Sequence, residues 1–297
     1  MPIQFNKFKT RYIFLDFLLL SNILAIASLL FVPSLESDIL RPFSITGNIF
    51  HIVVFFSVCG LIICRLKYCQ IETRQLMGDL KIKNISWILL LIIFYGQHTL
   101  TSGVNYLEYY FANLISPDLV QSSVRTITEG TNYSSASFVS QFFQYLLLMF
   151  VLVIVAPLTE EFIFRGIFLH RWAVKWGVLW SIILSSLLFG AIHADIFWFS
   201  RALGSIFTAL YYIQTKTLLV PIILHALNNG LVFIDLLFHH FKPSTVEEIN
   251  ITTKYIWYGI VNITLAIPIL VYFLKLPHSI EQLPYFCNQK NKDEILS

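Results

Sequence analysis

Two adjacent glutamates stand in an otherwise apolar stretch of the chain. The segment reads Thr159-Glu160-Glu161-Phe-Ile-Phe-Arg165. Glu161 and Arg165 are four residues apart, so a helix places them on one face with the acid first, which favours an ion pair. Glu160 points about 100° away and has no local partner. A lone carboxyl in an apolar site suits proton transfer near neutral pH, which makes Glu160 a candidate acid or base.

Two further polar clusters follow along the chain. Phe189 and His193 are four residues apart, with small residues between them that allow close helix packing. His225 and Asn229 share a helical face, and their side chains can aim two donors at one point. Structural explanations stay open: His193 as an interfacial residue, and His225 and Asn229 as hydrogen bonds between helices.

The composition places these residues in a membrane. Of 297 residues, 57% are hydrophobic and 12% charged, with a net charge of +3 and a mean hydropathy of +0.72. Soluble domains are about 45–50% apolar and about 25% charged. A soluble enzyme, a disordered protein and a nucleic-acid-binding module are therefore excluded, and continuous apolar runs argue against a β-barrel. The four cysteines indicate no disulfide framework.

Long apolar runs predict an all-α fold, a polytopic transmembrane bundle of about eight spans. The predicted spans are 12–32, 48–66, 86–104, 141–164, 181–193, 202–214, 218–237 and 255–274. The fifth and sixth are short, so a re-entrant hairpin is an alternative there. Fourteen of the twenty Lys and Arg fall on one side and five on the other, which predicts that both termini are cytosolic.

We expect a single membrane domain with three parts. Residues 1–139 hold the N-terminal spans and an outer loop, 140–238 the candidate catalytic core, and 239–297 the last span and a cytosolic tail that is loose after residue 276. Ionisable groups inside membrane helices are costly unless paired or facing a cavity, so each is a functional candidate. The alternative for Glu160, Glu161 and Arg165 is a helix end at the membrane surface, with Arg165 snorkelling.

Helix geometry allows the three clusters to meet. A hairpin turning near Gly177 would place Glu160 and His193 level, each about 25 Å from the turn. His225 lies only about 13 Å above the next turn, so convergence requires the hairpin to protrude about 10 Å further into the cytosol. Polar residues near the turn fit a solvated protrusion: His170, Arg171 and Lys175.

Together the three motifs resemble the ordered signature of a known family. Glu-Glu-x-x-x-Arg at 160–165, Phe-x-x-x-His at 189–193 and His-x-x-x-Asn at 225–229 are similar to the motifs of the CPBP intramembrane proteases. That family comprises type II CAAX prenyl proteases and bacteriocin-processing or abortive-infection proteins. The resemblance covers about residues 140–235 and implies an endopeptidase that cuts a membrane-associated, prenylated or leader peptide.

The resemblance also implies a role for each candidate residue. Glu160 would be the general base that activates water, assisted by His193. Glu161 and Arg165 would hold each other and shape the site.

His225 and Asn229 would form the oxyanion hole for the tetrahedral intermediate. No cofactor is expected, because pairing of Glu161 with Arg165 removes one metal ligand. The family has been described both as metalloproteases and as metal-free glutamate proteases, so the alternative is Zn²⁺ bound by Glu160, His193 and His225.

The expected partners are a peptide or protein substrate and the lipid bilayer, without nucleic acid. The membrane would be the plasma (inner) membrane in a bacterium and the endoplasmic reticulum in a eukaryote. Two competing hypotheses are a non-catalytic scaffold or bacteriocin self-immunity protein on the same fold, and a proton-coupled transporter. The sequence has no inverted repeat or paired broken helices, which argues against the transporter.

Overall fold

The computed structural model describes residues 3–31, 44–80, 86–122, 138–241, 253–273 and 279–296, and these ranges contain helices and no strand. Before the glutamates lie α1 (Ile3–Lys7), α2 (Arg11–Phe31), α3 (Ile45–Tyr68), α4 (Thr73–Met77) and α5 (Trp87–Ile115). Helix α6 combines Phe138–Phe150, Ala156–Glu161 and Leu169–Trp176 with the π-helical stretches Val151–Val155 and Phe162–Phe168. After it come α7 (Val178–Ala191), α8 (Trp198–Thr215), α9 (Leu219–Phe241), α10 (Lys254–Phe273) and α11 (Pro284–Leu296).

The helical membrane fold is confirmed. Within the described ranges, five helices are long and apolar enough to cross a membrane: α3, α5, α6, α9 and α10. Helix α7 has 14 residues, in agreement with a short fifth span. Every predicted span coincides with a helix, but α5 and α6 run further than expected, to Ile115 and Trp176. The count of eight spans and the cytosolic termini stay predictions.

Helix α6 departs from α-helical geometry on both sides of the glutamates. Pro157 has no N–H to donate to the preceding turn, and the π-helical stretch Val151–Val155 lies directly before its segment. Thr159 donates its hydroxyl to the Val155 carbonyl at 2.7 Å. The second stretch begins at Phe162, directly after the glutamates. Such π-helical turns are rare in proteins as a whole, but many of those that occur lie at functional sites.

The hairpin between α6 and α7 turns at Gly177, where the sequence places it. Gly177 has a φ of +86°, a conformation that favours glycine. Helix α7 packs so closely on α8 that a Cβ added at Gly190 would clash with the Trp198 carbonyl oxygen. This contact confirms that the small residues next to Phe189 permit close packing.

Helices α1 and α11, near the two ends of the chain, fold back onto the C-terminal part of α6. We call this assembly of α1, α4, α11 and the turn 216–218 the terminal cap. Asn288 on α11 donates to the carbonyl groups of Gln75 and Lys216 at 2.9 and 3.0 Å. The expectation of a loose tail is therefore wrong for residues 279–296, which form a turn and a helix.

The terminal cap also corrects the expectation for His170. This side chain is 0% exposed, so it does not belong to a solvated protrusion. The Phe5 ring stacks on it at 5.6 Å, and Phe5 in turn contacts the Tyr285 ring at 5.0 Å. The aromatic residues of both terminal segments bury apolar surface there, which the local polarity of the hairpin does not reveal.

Candidate active site

Glu161 and Arg165 form the ion pair that their spacing predicts. Arg165 Nε lies 3.0 Å from Glu161 Oε2, and the two side chains are 3% and 1% exposed. Arg165 also donates from Nη2 to the hydroxyl of Ser205 on α8 at 3.1 Å. Its guanidinium lies 4.9 Å from the Phe189 ring centroid. Because Arg165 is buried, the alternative in which it snorkels to the membrane surface is wrong.

His225 joins the two glutamates across the helix interface. Its Nδ1 lies 2.8 Å from Glu161 Oε1, and its Nε2 lies 3.9 Å from Glu160 Oε2. A carboxylate only accepts, so an ionised Glu161 orients the imidazole with its proton on Nδ1 and Nε2 toward Glu160. The Glu160 Oε2 atom is buried and has no hydrogen-bond partner among the described residues. Glu160 therefore lacks the close arginine and histidine contacts that hold Glu161.

His193 completes the cluster through a shared aromatic contact. The Phe189 ring lies 5.0 Å from the His193 ring and 5.8 Å from the His225 ring. His193 Nδ1 is 2.7 Å from the Phe189 carbonyl oxygen, which can only accept, so Nδ1 carries a proton. A neutral His193 then presents a free lone pair at Nε2. The three sequence motifs thus come together in space.

Asn229 has a different neighbour from the other candidates. Its Nδ2 donates to the Leu152 carbonyl at 2.7 Å, within the first π-helical stretch of α6. One amide N–H is therefore engaged with main chain, and only the second can serve a ligand. The prediction that His225 and Asn229 aim two donors at one point stays a prediction.

Several contacts of the site escape prediction from the sequence. Ser205 is one, because α8 carries no motif that singles it out. Another is His98 on α5, whose Nδ1 lies 3.3 Å from Asn228 Oδ1, next to Asn229 on α9. The only signal was a histidine inside an apolar span, which is a functional candidate by default. The contact of His225 with Glu161 joins residues 64 positions apart and has no local signal.

The zinc alternative can be tested on the donor set. Both histidines hold Nδ1 toward an acceptor, which is how metal-binding histidines are commonly oriented. Yet in the described part of the chain no group of three or more His, Cys, Asp or Glu side chains is spaced to hold a metal ion. As placed, Glu160, His193 and His225 do not form a metal site.

The arrangement suits general acid–base chemistry. It provides a carboxylate oxygen, Glu160 Oε2, with no hydrogen-bond partner among the described residues, an imidazole nitrogen 3.9 Å away, and a second acid that is paired with an arginine. A separation of 3.9 Å is too long for a direct hydrogen bond and allows one water to bridge the two atoms. Such a water would be polarised from both sides.

A comparison with known protein families finds a match in this part of the chain. Residues 142–231 match the family of "Type II CAAX prenyl endopeptidase Rce1-like" proteins. The match contains all three motifs and confirms the resemblance to the CPBP proteases. No curated protein and no solved structure matches the chain.

Proposed function

We propose that the chain is a membrane peptidase of the CPBP and CAAX family and hydrolyses a peptide bond with water activated by Glu160; the family match at residues 142–231 supports this proposal. The observation that carries the proposal is the different state of the two glutamates. Glu161 is held by Arg165 and His225, whereas Glu160 Oε2 has no hydrogen-bond partner among the described residues. A base must keep its lone pair free for the proton that it removes.

In the proposed reaction, Glu160 takes a proton from water while the water oxygen attacks the scissile carbonyl carbon. The carbonyl double bond opens to a tetrahedral intermediate with an oxyanion. Glu160 then gives the proton to the leaving nitrogen, the C–N bond breaks, and a carboxylic acid and an amine are released. His193, with Nε2 free, assists Glu160 in holding and moving the proton.

The oxyanion requires hydrogen-bond donors, and His225 and Asn229 are the proposed ones. His225 can donate from Nε2 when its ring carries a proton on both nitrogens, with Nδ1 held by the Glu161 carboxylate. Asn229 can donate through the amide N–H that Leu152 does not use. In this assignment Glu161, which is itself held by Arg165, contributes to the reaction by orienting His225.

The substrate that we propose is a membrane-associated peptide or protein, prenylated or with a leader segment. The five apolar helices make the chain an integral membrane protein, so the scissile bond must reach the site from the bilayer or its surface. The membrane would be the plasma (inner) membrane in a bacterium or the endoplasmic reticulum in a eukaryote. No step of the mechanism involves a metal; Zn²⁺ is the alternative.

The proposal is tested with the purified full chain in lipid vesicles. The substrates are internally quenched peptides with and without a prenylated C-terminal cysteine. We expect Glu160→Gln to lower kcat by about 10²–10⁴-fold, because the base is lost, while the protein stays folded. The matched control is Glu281→Gln, an exposed acid in the turn directly before α11, which should leave turnover unchanged.

Two outcomes would contradict the proposal. Unchanged turnover in Glu160→Gln would remove Glu160 from the chemistry. A wild-type protein that cleaves no peptide, and whose cellular phenotype survives Glu160→Gln, would favour the non-catalytic scaffold or immunity protein. Turnover should also persist in EDTA; loss of activity that added Zn²⁺ restores would favour the zinc alternative.

A further inference from the structure

We propose that His170 is a positioning residue that links the C-terminal helix α11 to the helix that carries the glutamates. The inference rests on the proposed function, because it assigns His170 a part in placing Glu161 and Arg165. It makes residues 279–296, which lie outside the family match at 142–231, a working part of the enzyme.

Both ring nitrogens of His170 are engaged with main chain. Nδ1 lies 3.1 Å from the Arg165 carbonyl oxygen and 3.0 Å from that of Gly166. Carbonyl oxygens only accept, so Nδ1 carries a proton and donates to both. Nε2 therefore holds a lone pair, which accepts the Tyr285 main-chain N–H at 3.1 Å. One neutral ring thus bridges α6 and the first turn of α11.

The position of this bridge on α6 gives it a consequence for the site. The carbonyl groups that His170 holds belong to the π-helical stretch Phe162–Phe168, which begins directly after Glu161 and contains Arg165. A π-helical turn is less regular than the α-helix around it, so its geometry depends on contacts from outside. A shift there would turn Arg165 away from Glu161 and from Ser205.

The other end of the glutamate segment is held in a similar way. Asn229 donates to the Leu152 carbonyl within the π-helical stretch Val151–Val155. The short α-helical segment Ala156–Glu161 is thus fixed by a side chain at each of its flanking stretches. On the C-terminal side of that segment the side chain is His170, and its own orientation depends on α11.

Helix α11 is attached firmly enough to serve as an anchor. The Tyr285 hydroxyl donates to Gln4 Oε1 at 3.1 Å, which ties α11 to α1. Asn288 donates to main-chain carbonyl groups of α4 and of the turn after α8. The Tyr212 ring on α8 lies 5.8 Å from the His170 ring. The bridge therefore connects α6 to the whole terminal cap.

The test compares two substitutions of His170 in the full chain. His170→Leu removes both hydrogen-bonding nitrogens. His170→Asn keeps a donor to the carbonyl four residues earlier, a contact that Asn228 and Asn262 make in this chain, but offers nothing to Tyr285. The matched control is His51→Leu, the same substitution at an exposed histidine on α3, outside the terminal cap.

We expect both His170 variants to lower kcat per folded molecule by about 10–100-fold with KM nearly unchanged, because misplacement of about 1 Å can cost 10²-fold. Hydrogen–deuterium exchange of the Tyr285 amide should accelerate in both. His51→Leu should keep kcat within about twofold of wild type, since this exposed position lies outside both the site and the bridge.

Three results would overturn the inference. Wild-type kcat in His170→Leu, with only a lower melting temperature, would make His170 a packing residue. Full restoration of kcat in His170→Asn would show that α11 has no part in the effect. An unchanged exchange rate at Tyr285 would remove the bridge itself. If Glu160→Gln also kept full activity, the proposed function would fail, and not this inference alone.

Discussion

Glu161 and Arg165 carry opposite charges on side chains that are almost completely buried. Removing one partner leaves the other charge buried alone, which typically costs about 3–5 kcal/mol. We therefore predict that Glu161→Gln and Arg165→Met each lower the free energy of unfolding by this order. The double variant should lose less than the sum, because the two residues act as one unit. Denaturant unfolding in detergent micelles measures all three.

Arg165→Lys is the informative control for this pair. It keeps the positive charge but gives up the planar guanidinium that contacts both Glu161 and Ser205. Its loss of stability should fall between wild type and Arg165→Met. Additive losses in the Glu161→Gln/Arg165→Met protein would contradict the assignment of a coupled buried pair.

The tautomer of His193 leads to a second prediction. Its Nδ1 serves the Phe189 carbonyl, so catalysis has only Nε2 to use. Asparagine places an N–H close to the Nδ1 position and has no counterpart of Nε2. His193→Asn should therefore fold normally and lose about 10²–10⁴-fold in kcat. His51→Asn, at an exposed histidine on α3, is the matched control; equal turnover in both variants would remove His193 from the reaction.

At the scale of the helices, α7 must lie close to α8 to bring Phe189 and His193 to the glutamates. A Cβ at Gly190 would lie 2.1 Å from the Trp198 carbonyl oxygen and 2.9 Å from the Ala202 Cβ. We predict that Gly190→Val separates the helices and costs about 1–3 kcal/mol, as overpacking does. Peptidase activity should fall with it, because Phe189 contacts both site histidines.

Gly60→Ala on α3 provides the comparison, since nothing lies within 4 Å of its added Cβ. Alanine is a better helix former than glycine by about 1 kcal/mol, so this change should be neutral or stabilising. Thermal unfolding and turnover of the two variants decide the matter. Equal behaviour would mean that α7 and α8 can separate without cost.

Local spacing explains which parts of this site the sequence could predict. The ion pair of Glu161 with Arg165 and the turn at Gly177 depend on residues close in the chain, and both are present. The contacts of His225 with Glu161 and of Asn229 with Leu152 each join α9 to α6. Helical periodicity gives the face of each residue but not the rotation of one helix against another, so these partners could not be foreseen.

At the scale of the whole molecule, the spans were predictable because twenty apolar residues have few alternatives to a membrane helix. The terminal cap was not. Residues 279–296 are polar and show no amphipathic pattern, and their order comes from contacts with α1, α4 and α6 that are distant in sequence. The burial of His170 depends on the same contacts, which is why its polarity suggested solvent.

An ion pair between α11 and the residue before α4 makes the stability of the terminal cap depend on pH. Lys292 Nζ on α11 lies 2.9 Å from both carboxylate oxygens of Glu72, which follows α3 outside the apolar spans. This hydrogen bond lowers the pKa of Glu72 below its ordinary value of 4.5. A carboxyl with a lowered pKa stabilises the folded state above its unfolded pKa, and the contribution is lost as the pH falls through its folded value.

We therefore predict that Lys292→Met lowers the melting temperature at pH 7, and that the difference from wild type shrinks as the pH falls toward 3. The effect should be small, at most about 1 kcal/mol, since both side chains are about half exposed to solvent. High salt at pH 7 should shrink it as well, because an exposed pair is screened. Lys67→Met, at an exposed lysine on α3, is the matched control. A melting-temperature difference that is equal at pH 7 and pH 3 would show that Lys292 stabilises α11 by packing rather than by charge.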